Sequence, residues 1–183
     1  MMDWFRTHIE CVAPLLPLML LCGCVTPPPA VVEAPRLGQP VNTTAFASRQ
    51  LNVYPDGRGL PPGRGSASEG AALFARHCAG CHGKDARGGT AEELAGATRP
   101  LTSPAADKTI GSYWPYATTL FDFIRRAKPM TAPGTLSADE VYALSAWLLH
   151  INGIIGADAV IDASSLPDIR MPNRDGFIRI EAN

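Results

Sequence analysis

Cysteine is missing from everything beyond residue 81, an excess of either charge is missing from the chain as a whole, and charged residues of any kind reach only 18%. Each shortage excludes something. The five cysteines, at 11, 22, 24, 78 and 81, fall into an N-terminal group and a mid-chain pair, which gives no readable disulfide framework. Sixteen Lys and Arg stand against 17 Asp and Glu, too balanced for a surface that follows a phosphate backbone, so nucleic acid is not an expected partner. The apolar run at 12–21 is too short to cross a bilayer as a helix. What is plentiful is backbone punctuation: 17 Gly and 17 Pro in 183 residues point to irregular chain held by something besides regular packing. That length suits one modest core with appendages.

The run at 12–21 has the length of a secretory signal and ends in Leu21-Cys22-Gly23-Cys24. This resembles the bacterial lipobox, with a Leu three residues before the cysteine and a small residue just before it. Residues 1–23 are expected to be a removed signal peptide and Cys24 the lipidated new N-terminus; Cys22, preceded by Leu21, fits less well. An ordinary cleaved signal is the alternative, and Asp3 and Glu10 against Arg6 leave the leader without its usual positive charge. From totals of 16 and 17, loss of Arg6, Asp3 and Glu10 leaves basic and acidic groups equal in number. Residues 24–65 read as a Pro/Gly-rich stalk and extended segment, since Pro27-Pro28-Pro29 favours polyproline geometry over a packed helix.

Cys78-Ala79-Gly80-Cys81-His82 carries the chemistry. Cysteines three apart span one helical turn and reach both vinyl groups of one haem, and the adjoining His82 then faces the iron. Ala79 and Gly80 leave room for the macrocycle edge. A zinc site would need further ligands, and signal removal leaves no other cysteine except Cys24, which is expected to carry the lipid. A thioredoxin-like pair needs neither the His nor this setting. One covalent haem c on Cys78 and Cys81, with His82 as axial ligand, is the expectation.

The surroundings read as helices. Ser66 with Glu69 has capping-box spacing and opens a helix from about 67 into the haem motif. Ser137 with Glu140 opens another to about 151, with Val141, Leu144, Leu148 and Ile151 on one face, facing Gly70 of the first. A third is expected over about 119–127, ended by Pro129. The domain so outlined, 66–152, is all-α and resembles class I cytochromes c, whose N- and C-terminal helices cross around a covalent haem. Residues 153–183 are expected to form an irregular tail packing on it.

Class I cytochromes place an axial Met in the loop before the last helix, where this chain has Met130. Members of the family more often carry Met-Pro where Lys128-Pro129 stands, which shifts Met130 by two; the intact Met171-Pro172 in the tail makes Met171 the alternative sixth ligand. A vacant position is the third reading, and any single Met also serves as core filler. His77 and His150 read as surface or capping residues. Tyr113, Trp114 and Tyr116 could shield a haem or simply pack, and Arg99, Arg125 and Arg126 could face propionates or solvent.

The stretches at 54–63, 110–119 and 171–177 resemble the monohaem cytochromes that accompany molybdenum sulfite or sulfane dehydrogenases, including the cytochrome subunit of the Sox sulfur-oxidation system. That resemblance implies a periplasmic electron-transfer protein, with no substrate chemistry of its own. It would accept electrons from the molybdenum subunit and pass them to a respiratory carrier, held at a membrane by its lipid. The alternative function is a haem enzyme or small-ligand sensor with an open iron position.

Overall fold

The computed structural model describes residues 37–38, 40–44 and 51–178. The chain divides into Met1–Pro40 and Val41–Asn183, and the architecture below is that of the second unit. The leader, Cys24 and the proline run lie outside the described residues. Among those described, no helix is long and apolar enough to cross a membrane.

Strand β1 (Arg64–Ser66) runs directly into helix α1 (Ala67–His77). Ser66 caps it: its hydroxyl accepts from the Glu69 amide and the Glu69 carboxylate accepts from the Ser66 amide. The helix does not run unbroken into the haem motif. Cys78 departs from helical geometry at φ −125°, and a single turn, α2 (Ala79–His82), follows.

Helix α3 (Ile110–Tyr113) is one turn with its own Thr109/Ser112 capping box, and α4 (Ala117–Ala127) begins two residues before the expected start. Helix α5 (Ala138–Ile151) is capped by Ser137 and Glu140 and supplies more of the buried core than any other element, from Val141 through Leu149. The architecture is mostly helical but includes a small sheet. Strand β2 (Val160–Asp162) pairs antiparallel with β1, Gly65 opposite Ile161. Strands of three residues are too short to show an alternating pattern in sequence.

Helices α1 and α5 cross at Gly70. A Cβ there would meet the backbone of Ala143 and the Cβ of Trp147, so only the bare glycine permits this approach. Phe74 and Trp147 then stack at 4.1 Å between ring centroids, and Phe121 of α4 meets Tyr142 of α5 at 4.4 Å.

Residues 51–65, grouped with the stalk by composition, are anchored to these helices. The Asp122 carboxylate accepts from the Val53 amide at 2.9 Å, Tyr142 donates its hydroxyl proton to the Pro61 carbonyl at 2.8 Å, and Asp139 accepts from the Arg64 amide at 2.8 Å. At the other end of the chain, Ile161, Leu166 and Met171 are buried in the common core, and Asn173 donates to the Tyr113 carbonyl at 2.7 Å.

Candidate haem site

The bend at Cys78 turns the chain so that Cys78 and His82 line one apolar cleft, with about 740 Å³ of free space including its open mouth. Its walls come from several parts of the chain. Helix α1 contributes Phe74 and His77, and α5 contributes Leu144 and Leu148. Leu120, Phe123 and Ile124 come from α4, and Lys128, Pro129 and Leu136 from the connection to α5. Leu94, Lys108, Ile110 and Trp114 close the remaining side. No carboxylate is among the wall residues described.

The loop after α2 fixes His82. Gly83 turns at φ +78°, the Gly88 amide donates to the His82 carbonyl at 3.0 Å, and the Ala91 amide donates to the Cys81 carbonyl at 2.9 Å. This folds Glu92 back so that its carbonyl lies 2.8 Å from His82 Nδ1. A carbonyl only accepts, so Nδ1 carries a proton, and in the neutral ring the lone pair is then on Nε2. Metal-binding histidines are oriented in this way.

Asn152, just past α5, ties the far side together: its amide donates to the Leu94 and Leu148 carbonyls at 3.1 and 2.8 Å and accepts from the Gly111 amide at 3.1 Å. Sequence reading passed over it, because its partners lie 58, 4 and 41 residues away.

The Cys78 thiol is half-buried and Cys81 is exposed; neither is in a disulfide. Burial pushes the Cys78 thiol up, opposed by the nearby Lys128 charge. Among the described residues, no group of three or more His, Cys, Asp or Glu is placed to hold a metal ion, which leaves the zinc reading without ligands. Two thiols at this spacing, a histidine with a free Nε2 and an apolar cleft do fit a covalent haem.

The remaining sequence candidates are dispersed. Met130 is 77% exposed and off the cleft wall, while Met171 is 1% exposed and packed in the core, also off the wall. Trp114 is a wall residue. Tyr113 and Tyr116 instead meet the tail, through the Phe177 ring at 5.4 Å and the Arg174 guanidinium at 4.3 Å. Arg99 pairs with buried Asp107 and Arg126 with Asp122, so these guanidiniums are already engaged. His150 points Nδ1 at the Ile155 carbonyl at 3.3 Å, closing the end of α5. Lys128 was noted in the sequence only as the residue occupying a methionine's place, and its position on the wall emerges from the fold.

A cytochrome c family model matches residues 67–152. The structure is similar to a chain in the crystal structure of the sulfane dehydrogenase SoxCD from Paracoccus pantotrophus, with 40% identity and a TM-score of 0.74 over 80% of this chain and 72% of that one. No curated protein matches. With a class I fold, a covalently bound haem c and a role in electron transfer, the chain belongs to the cytochrome c family.

Proposed function

We propose that this is an exported electron carrier whose haem c is held by thioethers from Cys78 and Cys81 with His82 on the iron. In this reading it takes electrons from a molybdenum-type sulfite or sulfane dehydrogenase and passes them to a respiratory acceptor. The observation that carries it is the convergence of Cys78 and His82 on one apolar cleft in a chain 40% identical to a chain of a sulfane dehydrogenase structure. Bound there, haem supplies a one-electron couple. The protein's part is to hold His82 through the Glu92 carbonyl and to keep water from the buried face with Leu, Ile and Phe walls.

Oxidation of sulfite releases two electrons and one iron accepts one, so the cofactor that divides the pair belongs to the partner. Reduced dehydrogenase mixed in a stopped-flow instrument with the oxidised cytochrome is expected to reduce it within the mixing experiment, and sulfite alone is not. Charge balance in the exported chain implies a modest salt dependence of that rate. Haem that stays oxidised with this donor, yet is reduced promptly by a quinol- or alcohol-linked one, would reassign the partner.

The same proposal places the protein in the periplasm on a lipid at Cys24. Cys24→Ser is expected to release it from membranes. Retention of that variant through a high-salt wash would contradict the anchor.

A further inference from the structure

We infer that Lys128, through its side-chain amine, is the sixth ligand of the haem iron. This rests on the attachment proposed above. The cleft wall offers few groups with a lone pair for iron: His77, Cys78, His82, Lys108 and Lys128. Cys78 and His82 are committed to the haem motif. His77 adjoins Cys78 on the exposed last turn of α1, where it cannot reach the far face. Lys108 is exposed, with its ammonium over the Tyr113 ring, which is not a cleft wall.

Lys128 differs on each count. It is half-buried, and its Nζ lies 5.1 Å from the centre of the Phe123 ring, itself a wall residue. It takes part in none of the ion pairs formed among the described residues. Its backbone is fixed. The Lys128 amide donates to the Ile124 carbonyl at 3.0 Å to end α4, and the residue before a proline takes extended geometry, here φ −128° and ψ 152°. The next residue, Pro129, is buried and lies on the wall. Neither methionine offers its sulfur: Met130 projects into solvent and Met171 fills the core.

On coordination the ammonium gives its proton to solvent, the nitrogen lone pair forms the bond to iron, and the iron keeps its oxidation state. A nitrogen donor lacks the softness with which thioether favours ferrous iron, so the potential should lie below that of a His/Met centre.

Electron paramagnetic resonance and near-infrared absorption of the ferric full-length protein test this, since both report axial ligands independently of any activity. Wild type is expected to be low-spin without the thioether-to-iron charge-transfer band. Lys128→Ala should become high-spin or bind an exogenous ligand readily, while Met130→Ala and Met171→Ala keep the wild-type spectrum. Lys128→Met should gain the thioether band and a higher potential. A wild-type thioether band that disappears in Met130→Ala or Met171→Ala would overturn the inference, as would an unchanged spectrum for Lys128→Ala. Intact mass of every variant keeps the two readings apart: wild-type chain without covalent haem defeats the attachment, whereas covalent haem with an indifferent Lys128 defeats only the ligand.

Discussion

One methyl group added at Gly70 would collide with the backbone of Ala143, which cannot move aside as a flexible side chain could. Overpacking of this kind costs about 1–3 kcal/mol, and replacing glycine in a helix returns at most about 1 kcal/mol. Gly70→Ala is therefore expected to lose up to about 2 kcal/mol net, read from denaturant unfolding of the holoprotein. A gain in stability would mean that the crossing is looser than described. Asp162 shows another residue-scale effect. Its carboxylate accepts from the hydroxyl and amide of both Ser164 and Ser165 at 2.7–2.9 Å, with the Ser164 hydroxyl first among the causes, and its pKa falls from 3.8 to about 2. A carboxyl depressed on folding stabilises the fold above its unfolded pKa. That contribution is lost as pH falls from about 4 through about 2. Asp107, held low by Arg99 and by the Arg99 and Thr98 amides, acts in the same direction. Unfolding monitored against pH should show a shallower acid limb in Asp162→Asn than in wild type; coincident limbs would remove Asp162 from the account. The haem motif was legible because its chemistry lies in five consecutive residues. The wall position of Lys128 and the outward side chain of Met130 were not, because direction at a helix end and in a loop follows no periodicity.

At the scale of elements, helix starts were the most readable feature, since each capping box is spelled in four contiguous residues. The Ser66–Glu69 and Ser137–Glu140 pairs both form as spaced. Ser66→Ala and Ser137→Ala should each lower stability by about 1 kcal/mol, measured by chemical unfolding, and the two effects should not simply add, because α1 and α5 pack on each other. Neither loss would be expected if packing alone set the helix starts. Helix α4 was placed two residues late because Tyr116, its N-cap, makes no side-chain capping bond and leaves no local signal. The interruption at Cys78 was missed for the opposite reason: residues 67–82 have helix-compatible spacing throughout, and the break appears only where the backbone turns toward the cleft.

Across the whole molecule, the cleft is held by contacts between distant parts of the sequence: Val53 to Asp122, Pro61 to Tyr142, Leu94 to Asn152 and Tyr113 to Asn173. None of these is written in a local pattern, which is why the anchoring of 51–65 and the β1–β2 sheet emerged only from the fold. The cleft itself is walled largely by core side chains, so a cofactor bound there would complete the interior as well as supply the redox couple. Removing both thioether positions, Cys78→Ala with Cys81→Ala, should accordingly leave a chain without covalent haem that unfolds more readily than wild type. The most direct test of the account is the intact mass of the purified wild-type protein after acid–acetone extraction. The account predicts a mass heavier than the polypeptide by a single haem, and loss of that increment in the double cysteine variant; a wild-type mass equal to the bare polypeptide, with all haem in the extract, would contradict it.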